Sequence, residues 1–362
     1  MQHIGHRWVG PGGESCAVLV HSSDRAEARP FWKPILLAVD QHLPPLCHTF
    51  FSYDSADEDA QLAVRGTHHP ISLLRRGSLP AAASHTGLAG HDQPGWSGAI
   101  LSDLEKLSDH RWVFHIMDDA AIPDPIHDAS LRAVLDTAQA QNASTVSLYG
   151  RSFGFWDLKG ANPVHATKPA AGEGVRLDFF RATPHSKLVI QQNFALWRRD
   201  ALIQTLHRVG SNVSPRTWEE QLERLSPARR ETAWPDIHKA LVVAEAAGYK
   251  DALLGVEDVA NGGRIKDGMS RCAWIRLADR LGLARDSVPG GDDPGLTWPG
   301  ASYDFCTLKG AIGDGAHVLK ASPCACRMAK VQEGRTVVVK GVICGCNISS
   351  TQQQQHVARW TT

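Results

Sequence analysis

The chain has 362 residues, of which 43% are hydrophobic and 21% are charged, a composition typical of globular domains. Its 38 Lys and Arg balance 38 Asp and Glu, so no net positive charge favours binding to a nucleic acid. No run approaches the roughly 18 to 20 apolar residues of a membrane helix, and the first residues lack a signal-peptide pattern. The composition therefore predicts a cytoplasmic protein, peripheral to a membrane at most, with no nucleic-acid partner.

The first fifty residues contain two apolar runs separated by an amphipathic stretch. The run Cys16–His21 predicts a buried strand that ends in a polar loop. Helical spacing begins near Pro30, and a second strand is predicted over Cys47–Ser52. A strand, a helix and a strand in this order indicate a right-handed βαβ unit with a parallel sheet.

The same alternation of strands and helices returns after an irregular segment. Residues 54–95 lack periodicity and predict a long surface excursion, and residues 150–184 are broken by Gly and Pro. Between and after them, apolar runs predict strands over Trp112–Met117, Thr145–Tyr149 and Leu188–Trp197. Helical spacing predicts helices at 96–107, 126–138, 198–209, 218–225 and 235–247. The fold class indicated is α/β, a three-layer α/β/α domain with a mainly parallel sheet.

The character of the chain changes near residue 285, which predicts a main domain at 1–285 and a small irregular extension at 286–362. The extension contains Cys324-Ala-Cys326 and Cys344-Gly-Cys346 on either side of a β-prone run. Four thiolates could bind zinc there, although a C-x-C spacing is tighter than that of zinc knuckles, and a partly disordered tail is the alternative. The other four cysteines are interpreted as reduced core residues: Cys16, Cys47, Cys272 and Cys306.

The apolar strand predicted over Trp112–Met117 ends in two adjacent carboxylates, Asp118 and Asp119. Ligands in open α/β sheets bind at the carboxyl ends of strands. Two neighbouring carboxylates repel each other unless a cation compensates them, and oxygen ligands suit Mg²⁺ or Mn²⁺, which also bind phosphates. The pair is therefore a candidate metal-diphosphate site, with helix capping or a solvated turn as the alternative.

The first predicted strand also ends in a polar loop, and parallel strands bring both ends to one sheet edge. Ser22, Ser23 and Asp24 offer hydrogen-bonding groups for a base or a ribose, and Arg25 can neutralise a phosphate or pair with Asp24. A nucleotide could lie across both strand ends. For Asp24 alone, a role at a helix start is the alternative.

Four segments, in this order, resemble GT-A-fold glycosyltransferases of the group that includes the amino-terminal domain of a chlorella-virus multidomain glycosyltransferase and bacterial capsule-type homologues. The resemblance covers about residues 14 to 270. Its segments are HSSDRAEARPFWKPILLAVDQHLP, WSGAILSDLEKLSDHRWVFHIMDD, VIQQNFALWRRDALIQTL and SPRTWEEQLERL. Order and spacing make the match more specific than any single segment.

The resemblance implies an enzyme that uses a nucleotide-diphosphate sugar as donor and a glycan or another hydroxyl compound as acceptor. It implies that Asp118 and Asp119 form the DXD-like motif that holds Mn²⁺ or Mg²⁺, with Asp119 as the direct ligand. It also implies that residues 22–25 contact the nucleotide, and that Gln191, Gln192 and Trp197 belong to a segment lining the cleft. A Trp at that position is equally compatible with core packing.

The fourth segment contains the candidate catalytic carboxylates, Glu219 and Glu220. The resembling enzymes typically have an acidic residue after a Pro-Trp pair, whereas Arg216 and Thr217 separate Pro215 from Trp218 here. The base of an inverting transfer is therefore open between the two glutamates. Acidic residues also favour helix amino termini, which is the structural alternative for both.

Two other classes of function are compatible with these residues. A metal-dependent phosphoesterase or nucleotidyltransferase would also place adjacent aspartates at a strand end. A non-catalytic binding protein with a zinc-binding tail is the second alternative. The residues do not specify the donor sugar, the base, the acceptor or the oligomeric state.

Overall fold

A computed structural model describes a defined set of residues: 7–22, 28–54, 56–76, 95–118, 120–122, 125–148, 162–166, 177–186, 195–210, 212–245, 257–258, 277, 281–283, 316–322, 325–332 and 335–338. The chain forms two compact units, residues 1–264 and 265–362. Each unit is described by itself.

The first unit contains eleven described strands and seven described α-helices. The strands are β1 Cys16–His21, β2 His48–Tyr53, β3 Ile71–Arg75, β4 Trp112–Met117, β5 Ala120–Ala121, β6 Thr145–Ser147, β7 Asn162–Ala166, β8 Leu177–Arg181, β9 Ala195–Arg198, β10 Leu241–Glu245 and β11 Glu257–Asp258. The α-helices are α1 Arg29–His42, α2 Asp57–Val64, α3 Trp96–Lys106, α4 Asp128–Ala140, α5 Arg199–Val209, α6 Pro215–Glu223 and α7 Pro227–Ala233, and a 3₁₀ helix spans Pro235–Lys239.

Nine of these strands form one sheet in the order β3-β2-β1-β4-β9-β6-β10-β8-β7. Strand β1 is parallel to both β2 and β4, and β2 is parallel to β3. Strand β9 is antiparallel to β4 and β6, and β8 is antiparallel to β10 and β7. All strands of this sheet except β8 and β9 therefore run in the same direction, which confirms the predicted α/β class with a mainly parallel sheet.

Helices cover both faces of this sheet. On one face, apolar residues of α3, α5 and α6 pack with Leu19 of β1 and Val113 of β4. On the other face, Trp32 of α1 contacts Phe51 of β2 with ring centroids 5.2 Å apart. Because successive strand residues point to opposite faces, β1 and β4, which are apolar except for His21 and His115, are suited to burial on both sides.

The predicted strands β1 and β4 are confirmed with the bounds expected, and helix α3 begins at Trp96 as its spacing predicts. The interpretation of residues 54–95 as an irregular excursion is wrong in part, because α2 and β3 lie within it. The stretch 150–184 likewise contains β7 and β8. These strands obtain their hydrogen bonds from partners distant in sequence, a signal that local periodicity does not contain.

The helix predicted over 235–247 is also wrong. A 3₁₀ helix ends at Lys239, and residues 241–245 form β10 between β6 and β8. Its Leu241, Val242 and Val243 are all buried. A short apolar run rich in β-branched residues favours a strand at the centre of a sheet over a helix.

The second unit contains a described antiparallel sheet of three strands, β12 Ala316–Ser322, β13 Ala325–Gln332 and β14 Arg335–Val338. Cys326 lies in β13, whereas Cys324, Cys344 and Cys346 lie outside the described residues. The zinc hypothesis and the boundary near residue 285 stay predictions.

The interpretation of Cys16 and Cys47 as reduced core residues is wrong, because the two form a disulfide. Cys16 begins β1 and Cys47 immediately precedes β2, and the neighbouring pair Ala17 and His48 are direct partners in the parallel ladder. The Cα atoms are 4.8 Å apart, so pairing in the sheet brings the thiols together. Cys272 and Cys306 lie outside the described residues.

Removing this disulfide is expected to destabilise the first unit. The two cysteines are separated by 31 residues, and the loop-entropy relation gives about 3 to 4 kcal/mol for a loop of that length. We expect the free energy of unfolding of Cys16→Ser, measured with urea in the absence of reductant, to be lower than that of wild type by about this amount. Wild type measured with reductant should have the same lowered free energy of unfolding. Peptide mapping that finds Cys16 and Cys47 unlinked in wild type would contradict the assignment.

Candidate functional site

The carboxyl ends of β1 and β4 lie side by side at one edge of the sheet. The ladder pairs His21 with Met117, and it continues by one bond in which Asp118 N donates to His21 O at 3.1 Å. Ser22 N donates to Ser52 O at 2.9 Å, which continues the ladder toward β2. Ser22 and Asp118, two of the predicted site residues, therefore follow adjacent parallel strands at this edge.

Asp118 is buried, with 2% of its surface exposed. Its Oδ2 accepts a hydrogen bond of 3.0 Å from Trp32 Nε1 of α1, on the face opposite α3. An indole donor orients the carboxylate without neutralising it, as outer partners do for ligating carboxylates. The carboxylate is thus held in one orientation before any ligand arrives.

Several predicted site residues lie outside the described residues, and the structure does not place them: Ser23, Asp24, Arg25, Asp119, Gln191 and Gln192. Trp197 is described and belongs to the buried core in β9, which agrees with the packing alternative. The roles of the residues that lie outside the described part of the chain stay predictions.

A cluster of four buried polar residues lies at the same edge, and we call it the edge cluster: His21, Ser52, Arg76 and Asp103. Asp103 Oδ2 accepts from Ser52 Oγ at 2.5 Å and lies 3.2 Å from His21 Nδ1. Arg76 Nη1 lies 2.9 and 3.0 Å from the two ring nitrogens of His21, and Arg76 Nη2 donates to Ser22 O at 2.9 Å. The cluster joins β1, β2, the residue after β3, and α3.

Electrostatics in the edge cluster favour a neutral imidazole. Burial lowers the pKa of His21 to about 3, the Arg76 guanidinium adds to this effect, and Asp103 opposes it. Burial also lowers the pKa of Arg76, whereas the charges of Asp103 and Asp118 act in the opposite direction. The charges of two buried carboxylates thus act on one buried guanidinium, which lowers the cost of burying these charges.

Acid is expected to destabilise the protein through His21. The unfolded chain binds a proton below about pH 6.5, whereas the folded chain does so only near pH 3, so stability falls as the pH drops through this window. The loss at pH 5 relative to pH 7.5 is about 2 kcal/mol for this residue. Urea unfolding of His21→Gln should show a pH dependence smaller by that amount. The titratable and charged groups that face His21 are His115, Arg76 and Asp103. A pH dependence of stability in His21→Gln equal to that of wild type would contradict this expectation.

Helix α6 carries the two candidate glutamates and is anchored by tryptophan packing. Ser214 Oγ accepts from Thr217 N at 3.0 Å and caps the helix. Trp218 is fully buried, with ring centroids 5.7 Å from Trp96 of α3 and 5.7 Å from Trp197 of β9. Because α3 connects the carboxyl end of β3 to the amino end of β4, its first residue Trp96 belongs to the carboxyl edge.

Hydrogen bonds tie the approach to α6 to the first turn of α3. Ser97 Oγ donates to Gly210 O at 2.8 Å and accepts from Val213 N at 3.1 Å, and Ser97 N donates to Val213 O at 3.2 Å. The start of α6 is therefore positioned beside the start of α3, on the side of the sheet where β1 and β4 end.

The two glutamates are both half-buried and directly follow the buried Trp218. Glu220 Oε2 lies 2.8 Å from Arg224 Nη2 in a pair one helical turn apart. The choice of base between Glu219 and Glu220 stays open.

The chain returns to the acidic motif from a distant part of the sequence. Strand β11 pairs with β5 in antiparallel register, with Asp258 opposite Ala120 and Glu257 opposite Ala121. Strand β5 directly follows Asp118 and Asp119. The late segment therefore borders the predicted metal site, a contact that sequence spacing did not indicate.

Sequence reasoning also missed Arg76 and Asp103. Asp103 lies on the apolar face of α3, three residues after Ile100 and one before Leu104. A carboxylate on the apolar face of a helix indicates a buried polar contact, so the sequence did contain a signal for this residue. Arg76 follows β3, a strand that the sequence did not indicate, so no signal placed it at the edge.

The donor chemistry of the edge fits a divalent cation bound together with a diphosphate. Among the described residues, no group of three or more His, Cys, Asp or Glu could hold a metal alone. Magnesium-type ions are commonly bound by one or two carboxylates and completed by substrate phosphates and water. Asp118, oriented by Trp32, and the adjacent Asp119 have the carboxylate oxygens that this arrangement requires.

No protein-family model matches the sequence, and no curated protein matches it. Solved structures do match. TarS 1–349 from S. aureus has 10% identity and a TM-score of 0.36, over 74% of this chain and 64% of that one. The mannosyltransferase PcManGT from Pyrobaculum calidifontis, in complex with GDP-Man and Mn²⁺, has 17% identity and a TM-score of 0.37, over 74% of this chain and 61% of that one.

A third match is the glucosyl-3-phosphoglycerate synthase of Mycobacterium tuberculosis in complex with Mn²⁺, UDP-glucose and phosphoglyceric acid. It has 16% identity and a TM-score of 0.33, over 75% of this chain and 82% of that one. The chain spans less than two thirds of the length of the first two structures. The narrower resemblance to a chlorella-virus domain stays a prediction.

The described helices include none with both the length and the apolar character of a membrane span. Fold and site together define an α/β protein in which β1 and β4 end side by side, next to the buried carboxylate of Asp118.

Proposed function

We propose that this protein is a metal-dependent glycosyltransferase that moves a sugar from a nucleotide-diphosphate sugar to a hydroxyl acceptor. The observation that carries the proposal is the adjacency of Ser22 and Asp118, which follow neighbouring parallel strands and are joined through the hydrogen bond from Asp118 N to His21 O. A nucleotide bound at the end of β1 would have its diphosphate beside the end of β4.

The donor is bound by the two strand ends. Ser22 begins the loop that we assign to the base and ribose, together with Ser23, Asp24 and Arg25. Asp118 and Asp119 would hold Mn²⁺ or Mg²⁺, with Asp119 as the direct ligand, and Gln192 belongs to the lining of the cleft. The bound cation would neutralise charge on the departing nucleoside diphosphate.

The acceptor is activated by a carboxylate of α6. In an inverting transfer, the base takes the acceptor hydroxyl proton as that oxygen attacks the anomeric carbon and the bond to the diphosphate breaks. We assign this role to one of the two glutamates of α6, Glu219 or Glu220. The acceptor we propose is a glycan, and the setting we propose is the cytoplasm.

A thermal-shift screen of the purified protein tests this proposal. UDP, GDP, ADP, CDP and dTDP are each added with and without Mn²⁺, because a ligand at 100 times its Kd stabilises a protein by about 2.7 kcal/mol. We expect one nucleoside diphosphate to raise Tm only in the presence of Mn²⁺. When an acceptor is supplied, nucleotide sugars of the same base should be consumed, with release of that nucleoside diphosphate.

Two results would overturn the proposal. Nucleotide hydrolysis or nucleotidyl transfer without sugar transfer would point to a phosphoesterase or a nucleotidyltransferase. A folded protein that binds none of the five nucleotides, but holds stoichiometric zinc, would point to a binding protein with a metal-binding tail.

A further inference from the structure

A polar cavity of about 620 Å³ lies at the amino edge of the large sheet, and we call it the amino-edge cavity. It is bordered by the turn before β1, by the residues between α3 and β4, and by the start of α5. All twelve described residues that line it are polar, charged or glycine. The volume suits a small molecule, and a lining without apolar side chains favours a strongly polar one.

The amino-edge cavity is separate from the candidate site at the carboxyl edge. Strands β1 and β4 start beside the cavity and end at the candidate site. Arg111 of the cavity and Asp118 of the site are seven residues apart along β4, which corresponds to about 23 Å of extended chain. The cavity therefore does not belong to the site proposed for the donor sugar.

One side of the cavity is formed by Arg198, whose side chain is 9% exposed. Its Nε donates to Asp200 Oδ1 at 2.6 Å, and its Nη2 donates to Asp236 Oδ2 at 2.7 Å. Its Nη1 donates to Asn142 Oδ1 at 3.2 Å. Lys239 also lines the cavity and pairs with Asp236 at 2.9 Å. Because these two cations already have carboxylate partners, they serve the structure of the cavity.

Arg199 differs from Arg198, although the two residues are adjacent. It is half-buried, and its Nη1 donates to the carbonyl oxygen of Leu104 at 3.3 Å. No Asp or Glu among the described residues forms an ion pair with it. Burial of a guanidinium without a counter-ion is unfavourable, so an anionic ligand would supply the missing partner.

Arg111 brings a second guanidinium to the same cavity. Arg199 N donates to Arg111 O at 2.8 Å, so the two residues are neighbours at the amino edge. Arg111 Nη1 donates to Glu14 Oε1 at 2.5 Å. Gly12 N and Gln139 Nε2 also donate to this carboxylate and fix it in place. Among the described residues, Nη2 and Nε of Arg111 have no partner, so two guanidinium groups with available donors border one cavity.

We propose that the amino-edge cavity binds a small phosphate ester, with Arg111 and Arg199 as the residues that bind its phosphate. A guanidinium binds phosphate through two parallel hydrogen bonds, and a phosphate group has enough oxygens for two guanidinium groups. The cavity is larger than a phosphate ion, so the rest of the ligand would contact neutral polar residues such as Asn142 and Ser108. This site stands whether or not the protein transfers a sugar.

Two further groups of the lining bear on the kind of ester. Burial lowers the pKa of His110, so its ring is neutral at pH 7 and adds no positive charge. Asp109 is exposed, and its Oδ1 accepts from Ser108 Oγ at 3.5 Å. Solvent screens the repulsion between this carboxylate and a phosphate, and the carboxylate can accept from a hydroxyl group. A hydroxylated ester, such as a sugar phosphate, therefore fits the lining best.

Calorimetric titration of the full chain tests the proposal, with glucose 6-phosphate, glycerol 3-phosphate and inorganic phosphate as probes. EDTA is present, so that no divalent cation is bound at the candidate site. We expect glucose 6-phosphate to bind most tightly. Arg111→Gln and Arg199→Gln should each weaken its binding about tenfold or more, because charged hydrogen bonds to the phosphate are lost.

The matched control is Arg208→Gln. Arg208 is an exposed residue in the last turn of α5 and donates to Thr232 O. The control removes the same charge from the same helix without touching the cavity. It should change the Kd of glucose 6-phosphate by less than about twofold.

Protection from phenylglyoxal tests the same arginines in wild type, and it serves where a variant does not fold. Peptide mapping gives the rate of modification at each arginine. At ten times its Kd, glucose 6-phosphate should slow the modification of Arg111 and Arg199 about tenfold, because the unliganded fraction falls by that factor. The rate at Arg208 should not change.

Several results would overturn the proposal. These are no binding of the three probes at about 10 mM by folded wild type, equal weakening in Arg208→Gln, or no protection of Arg111 and Arg199. Inorganic phosphate that binds as tightly as both esters would overturn the ester and identify the free ion as the ligand. The Arg111 and Arg199 variants should keep any Mn²⁺-dependent Tm shift that wild type shows with a nucleoside diphosphate. Loss of that shift in both folded variants would overturn the separation of the two sites.

Discussion

Asp119→Ala is expected to lower the rate of sugar transfer by about 10³-fold or more while the protein stays folded, because a bound cation supplies several kcal/mol of charge stabilisation. Asp119 directly follows Asp118, whose carboxylate is held by Trp32 at the end of β4. Loss of the second carboxylate would leave Asp118 as the only acidic group of this pair for the cation. The Mn²⁺-dependent Tm shift with nucleoside diphosphate should disappear together with turnover.

The matched control is Asp128→Ala. Asp128 is an exposed aspartate in the first turn of α4 and pairs with Arg132 on the helix surface. Its removal should leave turnover and the Mn²⁺ effect within about twofold, as expected for an exposed pair. Full activity in Asp119→Ala would refute the metal assignment, and equal losses in both variants would indicate a fold defect.

Replacing the catalytic glutamate of α6 by glutamine is expected to lower kcat by about 10² to 10⁴-fold, the usual contribution of a general base, and Glu219→Gln and Glu220→Gln test the two candidates separately. Glutamine keeps the size of the side chain and cannot accept the acceptor proton, so donor binding and stability should change little. The variant of the other glutamate should retain nearly full turnover, because that side chain does not take the acceptor proton. Rates of transfer and nucleotide Kd, measured on both variants, separate the two residues.

The comparison of the two variants identifies the base. A large loss in only one of them would give the role to the glutamate replaced in that variant. If both variants stayed fully active, the base would lie outside α6, and the resemblance of segment 214–225 would mislead about the mechanism.

The central part of the fold could be predicted from the sequence because its signals are local. Strands β1 and β4 are apolar runs in which His21 and His115 are the polar residues, and α3 has apolar residues at helical spacing. Strands β3, β7 and β8 could not be predicted in this way. They form toward the ends of the sheet, and hydrogen bonds from distant partners stabilise them more than their own patterns do.

In the candidate site, too, the features with a local sequence signal could be predicted, and those that depend on contacts between distant residues could not. The strand-end position of Asp118 follows from a neighbouring apolar run, whereas the edge cluster depends on contacts between residues far apart in the chain. His21 and Asp103 are separated by 82 positions, and His21 and Arg76 by 55. The disulfide between Cys16 and Cys47 depends on strand pairing in the same way, so counting cysteines did not indicate it.

The pairing of β5 with β11 sets a lower limit on how far the protein can be shortened for expression. A chain that ends at residue 245 would retain every strand of the large sheet but would remove β11 from beside the acidic motif. A chain that ends at residue 264 or 285 would retain it. Shortened proteins that fold yet lose their response to Mn²⁺ would therefore be expected when the last residue lies before Glu257.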